Sequence, residues 1–89
     1  MIHQAKFVAA DLGASSGRVM VGKWNGNRFS LEELHRFPNG GVSTEEGLYW
    51  DVLGMWGHLQ EGLTKYRARF KDSPESIGVD AWGVDFGLL

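Results

Sequence analysis

The sequence has no cysteine, which excludes a disulfide scaffold and any cysteine-ligated zinc site. It has no apolar run approaching the ~20 residues that span a bilayer. It has no excess of positive charge: nine Lys and Arg stand against eleven Asp and Glu, for a net charge of −2. The basic footprint of a nucleic-acid binder is therefore missing. The opening residues Met1 to Lys6 carry one lysine and lead into no signal-type apolar segment, so the expected location is the cytoplasm. No internal repeat and no low-complexity linker interrupts the chain.

What is present points to a folded domain. The hydrophobic fraction of 43% and four tryptophans exclude disorder. The 13 glycines are roughly twice the usual share, but they lack the three-residue period of collagen. With 89 residues there is room for one domain with a small core. The chain stops at Phe86-Gly87-Leu88-Leu89, inside an apolar run, whereas domain termini are usually polar and at the surface. The expectation is a piece of a longer protein.

Lys6 to Leu12 is a short apolar run bounded by Gly13 and predicts a buried strand. Gly13 to Gly17 predicts a turn, and Arg18 to Trp24 a second strand. Asn25-Gly26 is a strong hairpin signal because both residues tolerate positive φ. A third strand follows from Arg28 to Phe37, with imperfect alternation. Pro38 to Gly41 reads as loop, and Leu48 to Trp50 as a short extended piece. Asp51 is a good helix N-cap. After it Val52, Trp56, Leu59, Leu63, Tyr66 and Phe70 recur at alternating four- and three-residue steps, the apolar face of a helix. That face, Trp56 included, is expected in the core. Lys71 to Pro74 ends the helix, and Ser76 to Trp82 predicts a fourth strand. The expected fold is α/β: a three-stranded antiparallel meander, a helix and a parallel strand (β-β-β-α-β), with a fifth strand beginning at Val84.

Two segments are candidates for chemistry. In the first, Asp11 ends a strand and the small residues Gly13 to Gly17 let backbone N–H groups converge on an anion. Ser15 and Ser16 add hydroxyl donors, Asp11 can hold Mg²⁺ directly or through water, and Arg18 can pair with Asp11 or reach a phosphate. Neither a Walker A loop nor a Gly-x-Gly-x-x-Gly fingerprint is present, and a strand rather than a helix follows the turn. Local spacing alone favours an ordinary Gly-Ser hairpin turn with an exposed aspartate. In the second segment, Asp80-Ala81-Trp82-Gly83-Val84-Asp85 ends the fourth strand. Ligands in open α/β sheets gather at the carboxyl ends of parallel strands. Gly83 admits a close approach, Trp82 offers a flat apolar face to a sugar, and Asp80 and Asp85 can accept from hydroxyls. The plain alternative is a tight turn with Trp82 in the core. His3, His35 and His58 share no helical spacing or common face, so no metal site is expected from them.

Ala10-Asp11-Leu12-Gly13-Ala14-Ser15-Ser16-Gly17-Arg18 resembles the first phosphate motif of the FGGY carbohydrate kinases, in the actin-like ATPase superfamily. His35 to Gly40, Ser76 to Phe86 and the pair Trp50-Asp51 match the same family in the same order. The form Ala-Ser-Ser-Gly-Arg and the segment Trp82 to Phe86 resemble the branch acting on a six-carbon deoxyketose. The resemblance implies a partial ribonuclease H-like, actin-like ATPase domain: residues 1–89 would be the start of the first of two domains. It implies that Ala14 to Arg18 contact ATP phosphates, that Asp11 helps place Mg²⁺, and that the Gly83 backbone contacts the ketose. The general base would come from the second domain, so this chain alone would hold no catalytic residue and be inactive. It would also expose a sheet edge or face through which copies associate. Two other readings stand beside it: an FGGY kinase for another sugar, and a non-catalytic actin-like nucleotide-binding or interaction module.

Overall fold

A computed structural model describes residues 4–81 and residue 83. The elements are β1 (Ala5–Leu12), β2 (Ser16–Trp24), β3 (Phe29–Pro38), β4 (Val42–Thr44), β5 (Gly47–Tyr49), α1 (Val52–Arg69) and β6 (Ser76–Ala81). β2 pairs antiparallel with both β1 and β3, and β6 adds to β1 in parallel, giving the order β3-β2-β1-β6. β4 and β5 form a separate two-stranded sheet. The α/β class is as expected, but the expected order lacked this second hairpin. Its strands are three residues each and wholly exposed, so no buried face imprints an alternation on the sequence. It is closed locally by Thr44, whose hydroxyl donates to the Gly47 carbonyl at 3.2 Å. The strand expected from Val84 onward, and Trp82, lie outside the described residues.

The Asn25-Gly26 signal marks a real turn, four residues long rather than the expected three, since Trp24 pairs with Phe29. The Asn25 side chain accepts from the N–H groups of Asn27 and Arg28 at 2.9 and 2.7 Å, and Gly26 takes φ 93°. The imperfect alternation of β3 has a cause. Val19 pairs with His35 but Met20 pairs with Glu33, so Leu34 is an extra, bulged residue. The bulge switches parity, and Glu32, His35 and Phe37 consequently share one face of the sheet.

That face carries the core. Val8, Val19 and Val21 are buried under α1 with Tyr66, and Leu34, Leu59, Leu63 and Phe70 pack around them. Each buried valine contributes roughly 1.5–3 kcal/mol. Asp51 caps the helix as expected, accepting from the Gly54 N–H at 2.9 Å. Gly62 allows the close approach: a Cβ there would collide with Val19. The other half of the helix stripe departs from expectation, since Val52 and Trp56 are 65% and 55% exposed. α1 lies over β2 and β3. Among the described residues nothing covers the β6 side of the sheet, and Ile77 and Val79 are exposed. Trp56 and Val79 line an apolar groove of about 110 Å³ between α1 and that uncovered half.

Lys6 ties the far end together. Its ammonium lies 3.1 Å from the Asp72 carboxylate, and its carbonyl accepts from the Glu75 N–H at 2.7 Å. Among the described residues no helix is long and apolar enough to cross a membrane.

Candidate functional site

β1 and β2 meet in a turn closed by the Gly13 N–H, which donates to the Ser16 carbonyl at 3.0 Å. The turn is shorter than expected. Ser16 and Gly17 belong to β2, Ser16 opposite Pro38 and Gly17 opposite both Leu12 and Phe37. Gly17 is buried, and a Cβ built on it would run into the Phe37 ring, so packing requires glycine there. Ala14 and Ser15 are exposed at the tip. Asn39 braces the turn from below. It is 6% exposed, its Nδ2 donates to the Gly13 carbonyl at 2.8 Å, and its own N–H donates to the Ser15 carbonyl at 3.0 Å. Sequence reasoning placed Asn39 in a loop and assigned it nothing. Its signals were its place in the family-matching segment His35 to Gly40 and a side chain able to donate and accept in a turn-rich stretch.

Four charged residues cross the sheet in one row. Arg36 on β3 pairs with Arg18 on β2, Arg18 with Asp11 on β1, and Asp11 with Asp80 on β6. Arg18 Nη2 donates to Asp11 Oδ2 at 2.5 Å. Arg36 turns to Glu33, 2.7 Å away, and its hydrogen bond holds the Glu33 carboxyl below the ordinary glutamate range. β1 and β6 are parallel with Leu12 opposite Ala81, so their carboxyl ends reach the same edge of the sheet. The turn after Leu12 and Gly83 after β6 therefore follow from neighbouring strand ends. Among the described residues, none has an atom within 4 Å of a Cβ added to Gly83. The two candidate segments, far apart in sequence, are joined by strand pairing. Trp82 and Asp85 are outside the described residues.

Two of the histidines, expected to share no face, meet in a second cluster. His35 on β3 and His58 on α1 meet with Nε2 and Nδ1 3.1 Å apart, and Glu61 Oε2 lies 3.4 Å from the first and 3.7 Å from the second. These three form a group able to hold a metal ion. The histidines share no spacing because helix-on-sheet packing, not periodicity, unites them. The His58 ring stacks on Phe37 with centroids 4.4 Å apart and planes 4° from parallel. Lys65 Nζ lies 2.8 Å from His35 Nδ1. An ammonium only donates, so Nδ1 accepts and the His35 proton sits on Nε2, directed at His58. Burial first, then the charge of Lys65, push His35 below the usual histidine range, while Glu61 opposes them. His3 lies outside the described residues.

A cleft of about 200 Å³ opens between the loop after β3 and the start of α1, lined by Phe37, Asn39, Asp51 and His58 among others. Among the described residues, none of the predicted ATP-, sugar- or metal-site residues lines it.

No family model matches the chain. Curated relatives do. The chain is 45% identical over 83 residues to a rhamnulokinase of Bacteroides thetaiotaomicron, covering 93% of this chain and 17% of that protein. It is 42% identical over 82 residues to a rhamnulokinase of Halalkalibacterium halodurans, covering 92% and 17%. It is 36% identical over 83 residues to a rhamnulokinase of Bacillus subtilis, covering 93% and 17%. The chain thus spans about one sixth of the length of the relatives it matches, and its similarity to rhamnulokinases extends over nearly all of its own.

Proposed function

We propose that this chain, similar to rhamnulokinases over nearly all of its length, is the N-terminal part of the first domain of an FGGY sugar kinase. Its parent transfers the γ-phosphoryl group of MgATP to L-rhamnulose in the cytoplasm. In this reading residues 1–89 are an incomplete ribonuclease H-like unit. A second domain supplies the aspartate that takes the hydroxyl proton, and the 89 residues alone are inactive.

The observation that carries the reading is the convergence at one sheet edge of the braced turn, the Asp11–Arg18 pair, Asp80 and Gly83. Ala14, Ser15 and Ser16 offer backbone N–H groups and hydroxyls to the phosphates, Gly17 keeps the strand close to Phe37, and Arg18 neutralises phosphate charge. Asp11 suits a hydrated Mg²⁺. Its side chain is 37% exposed while one oxygen is held by Arg18, leaving acceptor capacity for a metal-bound water. Gly83 exposes backbone to the ketose, Trp82 stacks on its apolar face, and Asp80 and Asp85 accept from its hydroxyls. Bound MgATP supplies the transferable phosphoryl group. The chain's own residues position it and offset its charge, which is most of what phosphoryl transfer asks of a protein.

The isolated chain self-associates in this account, because every residue of β6 is exposed, Ile77 and Val79 among them. Light scattering on the 89-residue chain should report an oligomer, and a clean monomer at high concentration would refute this. The functional reading is tested by Asp11→Asn in the full-length parent. The expected result is a loss of kcat with MgATP and L-rhamnulose of roughly two orders of magnitude or more with the fold intact. Unchanged kinetics would remove Asp11 from the site.

A further inference from the structure

We propose that His35, His58 and Glu61 form a binding site for a zinc-class divalent cation, on the face of the sheet opposite the Asp11–Arg18 row. The donor atoms make a triangle with edges of 3.1, 3.4 and 3.7 Å. A tetrahedral ion about 2.0–2.1 Å from each ligand requires ligands roughly 3.3 Å apart, so the triangle is already the right size. Two imidazoles and one carboxylate suit Zn²⁺ and its borderline neighbours, whereas Mg²⁺ takes oxygen ligands. The fourth position would be filled by water.

The ligands sit on two rigid elements packed against each other. His58 and Glu61 are three residues apart on α1, and so share one side of the helix. His35 comes from β3, placed on this face by the bulge at Leu34. Its side chain is 9% exposed, and the His58 ring is held by Phe37. Both histidines are therefore oriented before any ion arrives, and an ion would clip α1 to β3.

Lys65 sets the affinity. Its ammonium now donates to His35 Nδ1 at 2.8 Å. When Nε2 gives its lone pair to a metal, the ring proton moves to Nδ1 and meets a donor. Lys65 must then swing away, which its four-carbon stem permits. A residue that accepts from Nδ1–H would instead complete the site, as carboxylates and carbonyls do around bound histidines.

Calorimetric titration of Zn²⁺ into the full protein tests the site, with the visible absorption of bound Co²⁺ as a second readout. Wild-type protein should bind one ion that Glu61→Gln and His58→Ala each weaken at least tenfold, and Mg²⁺ at the same concentration should not compete. Lys65→Gln should bind several-fold more tightly. Glu61 is 54% exposed, so its variant keeps the fold even if loss of the His58 stack disturbs the other. Wild-type affinity and stoichiometry in Glu61→Gln, or weaker binding in Lys65→Gln, would overturn the proposal.

Discussion

The guanidinium of Arg18 lies 2.5 Å from the carboxylate of Asp11, directly across the β1–β2 ladder and one residue below the turn. Both side chains are more than a third exposed, so water screens the pair and its contribution to folding is small. Arg18→Met should therefore cost no more than about 1 kcal/mol in thermal or denaturant unfolding. In the full-length parent the same variant should raise KM for ATP at least several-fold, because it removes the cation proposed to face the phosphates. A large stability loss with unchanged KM would make the pair structural.

Asn39 is the residue on which the turn rests. Asn39→Ala leaves the Gly13 carbonyl without its 2.8 Å donor and should destabilise by about 1–3 kcal/mol in denaturant unfolding. Asn39→Asp should be worse than alanine, since a carboxylate would face the carbonyl oxygen. Equal stability of the three proteins would show that the turn stands without the brace.

Three glycines separate packing from propensity. A Cβ at Gly17 meets Phe37 and one at Gly62 meets Val19, so Gly17→Ala and Gly62→Ala should each cost about 1–3 kcal/mol. Gly57 has open space around it, and Gly57→Ala should gain about 0.5–1 kcal/mol from helix propensity alone. Thermal melts of the three variants check the order, and a destabilising Gly57→Ala would contradict it.

The parts of the fold that were legible are those with a local cause. The apolar run before Gly13, the Asn25-Gly26 turn, the Asp51 cap and the three-four spacing from Val52 to Phe70 each follow from a neighbour a few residues away. The β4–β5 hairpin has no buried face and so left no pattern. Leu34 showed only as a fault in the alternation of β3. Trp56 lies on the correct face of α1, but which half of the sheet that helix covers is a tertiary outcome. The candidate site was legible as two segments. Their junction through Asp11 and Asp80, the brace from Asn39 and the meeting of His35 with His58 depend on pairing across long stretches of chain, which no short window contains.

Acid should loosen the join between β3 and the end of α1. Arg69 Nη1 lies 2.8 Å from Glu32 Oε2, and this ion pair, with Lys23 adding to it from 3.6 Å, holds that carboxyl below the ordinary glutamate range. The folded state thus binds the proton less readily than the unfolded chain. The stabilisation is full above the unfolded pKa and is lost as pH falls through the lowered folded value. Melting temperatures of wild type and Glu32→Gln should differ most at neutral pH and converge as the pH falls below the ordinary glutamate range. A difference independent of pH would exclude the ion pair as its source.

The central claim is tested most directly by a coupled assay of ADP release from MgATP, run on the full-length parent and on the 89-residue chain with L-rhamnulose, xylulose and glycerol. The parent should turn over ATP with a clear preference for L-rhamnulose, and the isolated chain should show no turnover. Equal activity of the parent on xylulose or glycerol, or measurable turnover by the chain alone, would contradict that claim.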